Sequence, residues 1–242
     1  TRRDYRQMLF ETEEIYSYIS GIILFDETIR QASSDGDSLV SKIAAQGIIP
    51  GIKVDKGAKA LAGSHGETIT EGLDGLRERL EEYYKLGARF TKWRGVLSIG
   101  NNLPTSYCVE TNAHSLARFA ALSQEANLVP IVEPELLMDG DHSIDACYDA
   151  TSYVLREVYD HLARQNILLE GTLLKPNMVL SGKDATKRVD ADQVAELTVK
   201  CLLETVPSQV PGIVFLSGGQ SDEEATVNLS AINQVAEEEG VP

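Results

Sequence analysis

Cysteine is scarce in this 242-residue chain, and the three present, Cys108, Cys147 and Cys201, are odd in number and widely spaced. They form no Cys-x-x-Cys pair and have no histidine-rich tract beside them, which excludes a disulfide framework and a zinc site of the usual spacing. The default reading is therefore a reducing, cytoplasmic compartment. No apolar run approaches the roughly 20 residues that a membrane-spanning helix needs, and no charged-then-apolar leader opens the chain. The expectation is a soluble, unexported protein with no membrane partner. Basic residues are also in deficit: 22 Lys and Arg stand against 37 Asp and Glu, for a formal net charge of -15. That balance argues against nucleic acid as a partner, because such affinity comes from many cations neutralising phosphates. Neither Gly-x-x-x-x-Gly-Lys-Ser nor Gly-x-Gly-x-x-Gly occurs, so nucleotide-dependent chemistry has no motif to rest on.

What the chain does contain is an ordinary apolar fraction, 43%, enough to bury a core without staples. Strand-like runs at Tyr18–Phe25, Ile48–Asp55, Ala88–Ile99, Leu128–Glu135, around Thr172 and at Gly212–Leu216 alternate with helical patterns. The helices are expected at Leu76–Lys85, Ala113–Ala126, Ile144–Gln165, Ala191–Leu203 and Glu223–Glu239, with a shorter one through Leu39 and Ile43 and an opening one capped by Thr1. The stretch from Gly57 to Gly75 reads as a long Gly-rich loop. Alternation of this kind predicts a parallel sheet with helices outside, either an open doubly wound sheet or a (β/α)₈ TIM barrel of which about six βα units are present.

The charges decide between the two. Read with period two, Lys53 and Asp55 share a face, as do Lys92 and Arg94, and Glu133 and Glu135, while Val54, Trp93 and Pro134 point the other way. Lys175 ends its own strand, because Pro176 removes the next ladder donor. Cations and carboxylates at the carboxyl ends of several strands suit a barrel mouth, whereas an open sheet concentrates them at one switch point. A lysine partly desolvated there can attack a ketone carbonyl and form an imine, an electron sink for breaking the adjacent carbon bond. Glutamates beside it supply proton transfers. The remaining cations and the backbone of Ser217-Gly218-Gly219 suit phosphate.

Gly51-Ile-Lys-Val-Asp-Lys, Lys92-Trp-Arg, Val132-Glu-Pro-Glu, Leu173-Leu-Lys-Pro-Asn and Phe215-Leu-Ser-Gly-Gly-Gln, in this order, resemble the Schiff-base (class I) fructose-bisphosphate aldolases. Gly66-Glu-Thr and Gln46-Gly-Ile-Ile-Pro-Gly belong to the same context. The resemblance implies a single (β/α)₈ barrel domain over residues 1–242 that cleaves fructose 1,6-bisphosphate to dihydroxyacetone phosphate and glyceraldehyde 3-phosphate, as a homotetramer and without metal or other cofactor. It implies that Lys175 forms the imine, that Glu133 is its general acid and base, that Glu135 positions and charge-tunes Glu133, and that Lys92 assists proton transfer. Lys53 and Arg94 are then expected near the phosphate of the aldehyde half, Ser217, Gly218 and Gly219 near that of the ketone half, and Asp55 in support. The family's first strand, with a catalytic aspartate, and its eighth, with a phosphate-binding arginine, find no counterpart, so the expectation is a chain cut at both ends with two open sheet edges. Two alternatives stay open: another Schiff-base barrel acting on a phosphosugar, and an inactive phosphosugar-binding or interaction protein. His65, His114, His142 and His161 are scattered and read as structural, and Asp139-Gly-Asp-His142 as a solvated turn.

Overall fold

The computed structural model describes residues 2–241. The cap expected at Thr1 lies outside them; the first helix, α1, runs over Arg2–Phe10. Five parallel strands follow in one sheet: β1 (Gly21–Leu24), β2 (Ile49–Lys53), β5 (Phe90–Leu97), β6 (Val129–Leu136) and β7 (Leu173–Leu174). Their order in the sheet is their order in the chain, β1-β2-β5-β6-β7. Right-handed crossovers between strands always added in the same direction place every helix on one face. A doubly wound sheet needs the order to reverse, and here it does not, so the architecture is an arc of a (β/α) barrel.

The helices on that outer face are α2 (Asp26–Ile29), α3 (Leu39–Ala45), α4 (Leu76–Lys85), α5 (Ser106–Glu125), α6 (Ile144–Arg164), α7 (Ala191–Thr205) and α8 (Asp222–Glu238). Side-chain caps fix the starts of α5, α6, α7 and α8. Thr105, Ser143, Asp190 and Ser221 accept from the backbone N–H of Cys108, Ala146, Gln193 and Glu224 at 3.0–3.2 Å. Asn127 and Asn166, just past α5 and α6, adopt left-handed backbone, the conformation that terminates a helix. The strand residues that the two-residue period turns outward fill the core: Val54 and Trp93 are buried, and the Trp93 indole stacks on Phe119 of α5 with ring centroids 5.6 Å apart.

Three expectations are corrected. The run leading to Lys175 is mostly not strand, since Leu169–Gly171 is a 3-10 turn and only Leu173 and Leu174 pair with β6. Gly212–Leu216 reduces to one parallel bridge, Ile213 to Leu174, made by Leu174 N–H to Gly212 O at 3.2 Å and Val214 N–H to Leu174 O at 2.9 Å. The Gly57–Gly75 loop contains an antiparallel hairpin, β3 (Ala58–Ala60) and β4 (Thr68–Thr70). The hairpin was illegible because its strands are three residues each and β3 is exposed throughout, too short for an alternation to register. It stands against β5, where Thr68 and Thr70 hydroxyls donate to Val96 O and Arg94 O at 2.8 and 2.6 Å.

Candidate active site

In-register pairing brings the charged strand ends together. Lys53 is opposite Lys92, and Arg94 opposite Glu133. Lys175 N–H donates to Val132 O at 2.8 Å, which sets Lys175 level with Glu133 although the ladder ends at Pro176. The result centres on the buried Glu133 carboxylate. Lys175 Nζ donates to its Oε1 at 2.6 Å, and Lys92 Nζ stands 2.8 Å from its Oε2. The second contact is an ion pair without hydrogen-bond alignment: Oε2 has no directed donor despite the short distance. One carboxylate therefore holds two ammonium groups in a largely desolvated setting, with the Glu133 side chain 4% exposed and those of Lys92 and Lys175 11% and 20%.

Around this triad sit two further pairs. Arg94 Nε donates to Glu135 Oε2, and that bond holds the guanidinium still more firmly protonated than usual. Glu135 thus engages Arg94, and no hydrogen bond links it to Glu133 among the described residues. Lys53 Nζ donates to Asp55 Oδ1 and, at 3.1 Å, to Asp55 O. The buried Asp55 carboxylate also accepts Gly57 N–H at 3.1 Å and Arg94 N–H at 3.3 Å, fixing the exit of β2 against β5. Four cations thus face three carboxylates, a small cationic excess at the mouth of an acidic protein.

Ser217, Gly218 and Gly219 form a turn between the Ile213 bridge and α8. Leu216 N–H to Pro176 O at 3.4 Å places the turn beside the exit of β7. Both glycines have positive φ, 62° and 84°, which side chains rarely adopt. Gln220 braces the turn: its amide donates to Ser217 O at 2.7 Å and accepts from buried Asn228 at 2.6 Å. Among the described residues, the backbone N–H groups of Ser217, Gly218 and Gly219 have no protein acceptor. Three adjacent free donors suit an anion.

One residue that sequence reasoning quoted but did not use is Asn177. Buried at 2% exposure, it accepts Leu136 N–H at 3.0 Å and donates to Thr151 Oγ1 at 3.2 Å and Met178 O at 3.0 Å. It does the pairing that Pro176 interrupts, tying the Lys175 segment to β6 and α6. Its place directly after Lys-Pro was the available signal. His142 sits buried at both ring nitrogens, and burial pushes its pKa down.

A parallel barrel arc with a lysine, a shared glutamate and a second lysine at adjoining strand ends defines a lyase of the imine-forming kind. The model of the family Glycolytic, fructose-bisphosphate aldolase class-I, matches residues 1–240. A probable fructose-bisphosphate aldolase class 1 of Xanthomonas campestris pv. campestris is 58% identical over 97% of this chain and 70% of its own length. Cytosolic fructose-bisphosphate aldolase 4 of Arabidopsis thaliana is 54% identical over 97% of this chain and 60% of that protein. The fructose-bisphosphate aldolase of Plasmodium falciparum, solved as a ternary co-crystal with TRAP and a small-molecule inhibitor, superposes with a TM-score of 0.95. It is 50% identical, over 97% of this chain and 68% of that one.

The chain belongs to the class-I fructose-bisphosphate aldolase family. It is an aldehyde-lyase of glycolysis and gluconeogenesis, and its reaction is the reversible aldol cleavage of fructose 1,6-bisphosphate through a lysine Schiff base. Its partner in that reaction is a phosphosugar. Among the described residues no helix is long and apolar enough to cross a membrane.

Proposed function

We propose that Lys175 is the imine-forming residue and that Glu133 moves its protons. The observation that carries this reading is the single buried carboxylate bridging Lys175 and Lys92. Proton transfer from Lys175 Nζ to Glu133 Oε1 frees the lone pair, which attacks the substrate's C2 carbonyl carbon as the C=O π electrons move to oxygen; a second proton passes from the nitrogen to that oxygen to give the neutral carbinolamine. Glu133 then returns the proton to the carbinolamine oxygen, which leaves as water, and the protonated imine remains. When the C3–C4 bond breaks, its electron pair moves into the imine to give an enamine. The C4 hydroxyl, losing its proton to a base, becomes the aldehyde. Protonation at C3 and hydrolysis release the ketone and restore Lys175.

Lys92, on the other oxygen of Glu133, holds that carboxylate in place and assists proton transfer. Glu135 acts through Arg94, which it orients at the mouth. Lys53 and Arg94 are assigned to the phosphate of the aldehyde half, with Asp55 holding Lys53. Ser217, Gly218 and Gly219 are assigned to the phosphate of the ketone half, supported by their free N–H groups beside the exit of β7. One barrel domain, a homotetrameric assembly and a cytoplasmic location complete the proposal. The domain reading is supported by a core continuous from Phe10 to Ile232, and the location by likeness to the cytosolic plant isozymes.

Glu133→Gln tests the central assignment. The amide keeps the size of the group but cannot shuttle the proton, so kcat is expected to fall about 10²–10⁴-fold with the fold intact. A variant with wild-type kcat would remove Glu133 from the proton steps.

A further inference from the structure

The Ser217-Gly218-Gly219 turn leads directly into α8, yet that helix start has little positive character to spare for an anion. Asp222, Glu223 and Glu224 occupy its first turn, and the nearby Arg188 is engaged by Glu224 at 2.7 Å. Charge for a phosphate at the turn has to come from elsewhere. The structure provides it from a segment whose sequence carries no recognisable signal. Gly182, Lys183 and Asp184 donate successive backbone N–H bonds to His142 O, Met138 O and Gly140 O at 2.9, 2.8 and 2.9 Å. These bonds clamp the segment to the loop that leaves β6. The clamp is tight: a Cβ on Gly182 would stand 2.3 Å from Gly140 O. The position of the Lys183 backbone is thus fixed at the mouth.

Its side chain reaches over the turn. A Cβ built on Gly219 would stand 2.9 Å from Lys183 Nζ and 3.0 Å from its Cε, so the ammonium occupies space that only a glycine leaves open. Gly218 faces Met138, the residue whose carbonyl holds Lys183 N–H, so turn and clamp form one unit. The carboxylate partner of Lys183 is Asp139, at 3.4 Å, with the two side chains 46% and 68% exposed. An ion pair that long and that solvated is weak and readily exchanged.

We propose that Lys183 is a substrate-binding residue, supplying a cation that meets the ketone-half phosphate over the free N–H groups of Ser217, Gly218 and Gly219, and that Asp139 is its resting partner. The inference rests on the assignment of that turn to a phosphate. An ammonium donating to a phosphate oxygen is a charge-assisted contact made equally in ground and transition states, so its loss shows in KM more than in kcat.

The test compares three variants of the enzyme on fructose 1-phosphate, which has only the ketone-half phosphate, and on fructose 1,6-bisphosphate. Lys183→Met, which keeps length without charge, is expected to raise KM for both about tenfold with kcat nearly unchanged. Asp139→Asn, which frees the lysine, is expected to lower KM or leave it unchanged. Ser217→Ala probes the turn itself. If Lys183 and Asp139 form only a structural pair, both variants break it alike and shift KM in the same direction, which overturns the proposal. Weakening by Ser217→Ala with no effect of Lys183→Met also overturns it and leaves the turn as a phosphate site. Indifference to both Lys183→Met and Ser217→Ala overturns the proposal and removes the Ser217 hydroxyl from the phosphate site.

Discussion

Lys175 and Lys92 divide one carboxylate between them, and their chemical roles differ because only one of them must become covalent. Lys175→Arg retains the positive charge beside Glu133, but guanidinium stays protonated and forms no imine. The variant is expected to fold, to bind phosphosugar and to cleave none, as measured by coupled release of the triose phosphates; cleavage at the wild-type rate would contradict the imine at this position. The strand-end charges were legible at this scale because alternation in a strand is a two-residue rule that needs no tertiary information. Their pairing was not. Glu135 accepts from Arg94, and among the described residues no hydrogen bond joins it to Glu133. The cysteines belong here too. All three are buried, and burial pushes the thiols of Cys108 and Cys201 up to about 11. The thiolate is the reactive form, so iodoacetamide at pH 8 should leave both unlabelled in the native protein and label them once it is denatured. Rapid native labelling would show that these helices open easily.

At the scale of elements, the joint after β7 and the hairpin on β5 position the site more than the strands themselves do. Asn177→Ala strips the acceptor from Leu136 N–H and leaves a buried donor unpaired, which costs about 1–3 kcal/mol. Urea denaturation should report that loss, with kcat falling as well because the Lys175 segment is no longer tied to β6; an unchanged midpoint would show the bond to be dispensable. Glu67 secures the hairpin: its buried carboxylate accepts Thr105 N–H at 2.8 Å at the start of α5 and also takes the Ser64 and Thr105 hydroxyls. Burial alone would raise its pKa, but these hydrogen bonds outweigh that and hold it below the ordinary value of 4.5. A depressed carboxylate stabilises the fold fully above its unfolded-state pKa, and that contribution is lost as pH falls through the lower folded value. Glu67→Gln should therefore flatten the decline of stability below about pH 4.5. Equal slopes for variant and wild type would assign the acid sensitivity elsewhere. Helices such as α4 and α6 were readable from periodicity. The hairpin and the two-residue β7 were not: β3 and β4 are three residues each, and β7 is recognisable only by its pairing with β6 and the Ile213 segment, far off in sequence.

Across the whole molecule, the monotonic strand order and the charged mouth are one fact seen twice. Helices confined to one face leave the other face of the sheet free to carry the site. The arc also has two edges, β1 on one side and the Ile213 segment on the other. Near them Tyr18, Ile19, Ile23, Phe25, Ile49 and Val214 are exposed. Exposed apolar edges recruit other chains, and a net charge of -15 opposes that only in part. With those edges uncovered the chain should self-associate, as light scattering would report. A monodisperse preparation would show the edges to be covered in some other way. Imine chemistry also makes no call on a metal, so exhaustive chelation should leave the activity unchanged.

The claim on which all of this depends is that Lys175 becomes covalently joined to substrate, and borohydride reads it directly. The enzyme is incubated with dihydroxyacetone phosphate, reduced and digested, and the modified peptide is identified by mass spectrometry. The account predicts one reduced adduct, on Lys175, suppressed in Lys175→Arg and slowed in Glu133→Gln. An adduct on Lys92 or Lys53 instead, or none at all from an active enzyme, would contradict it.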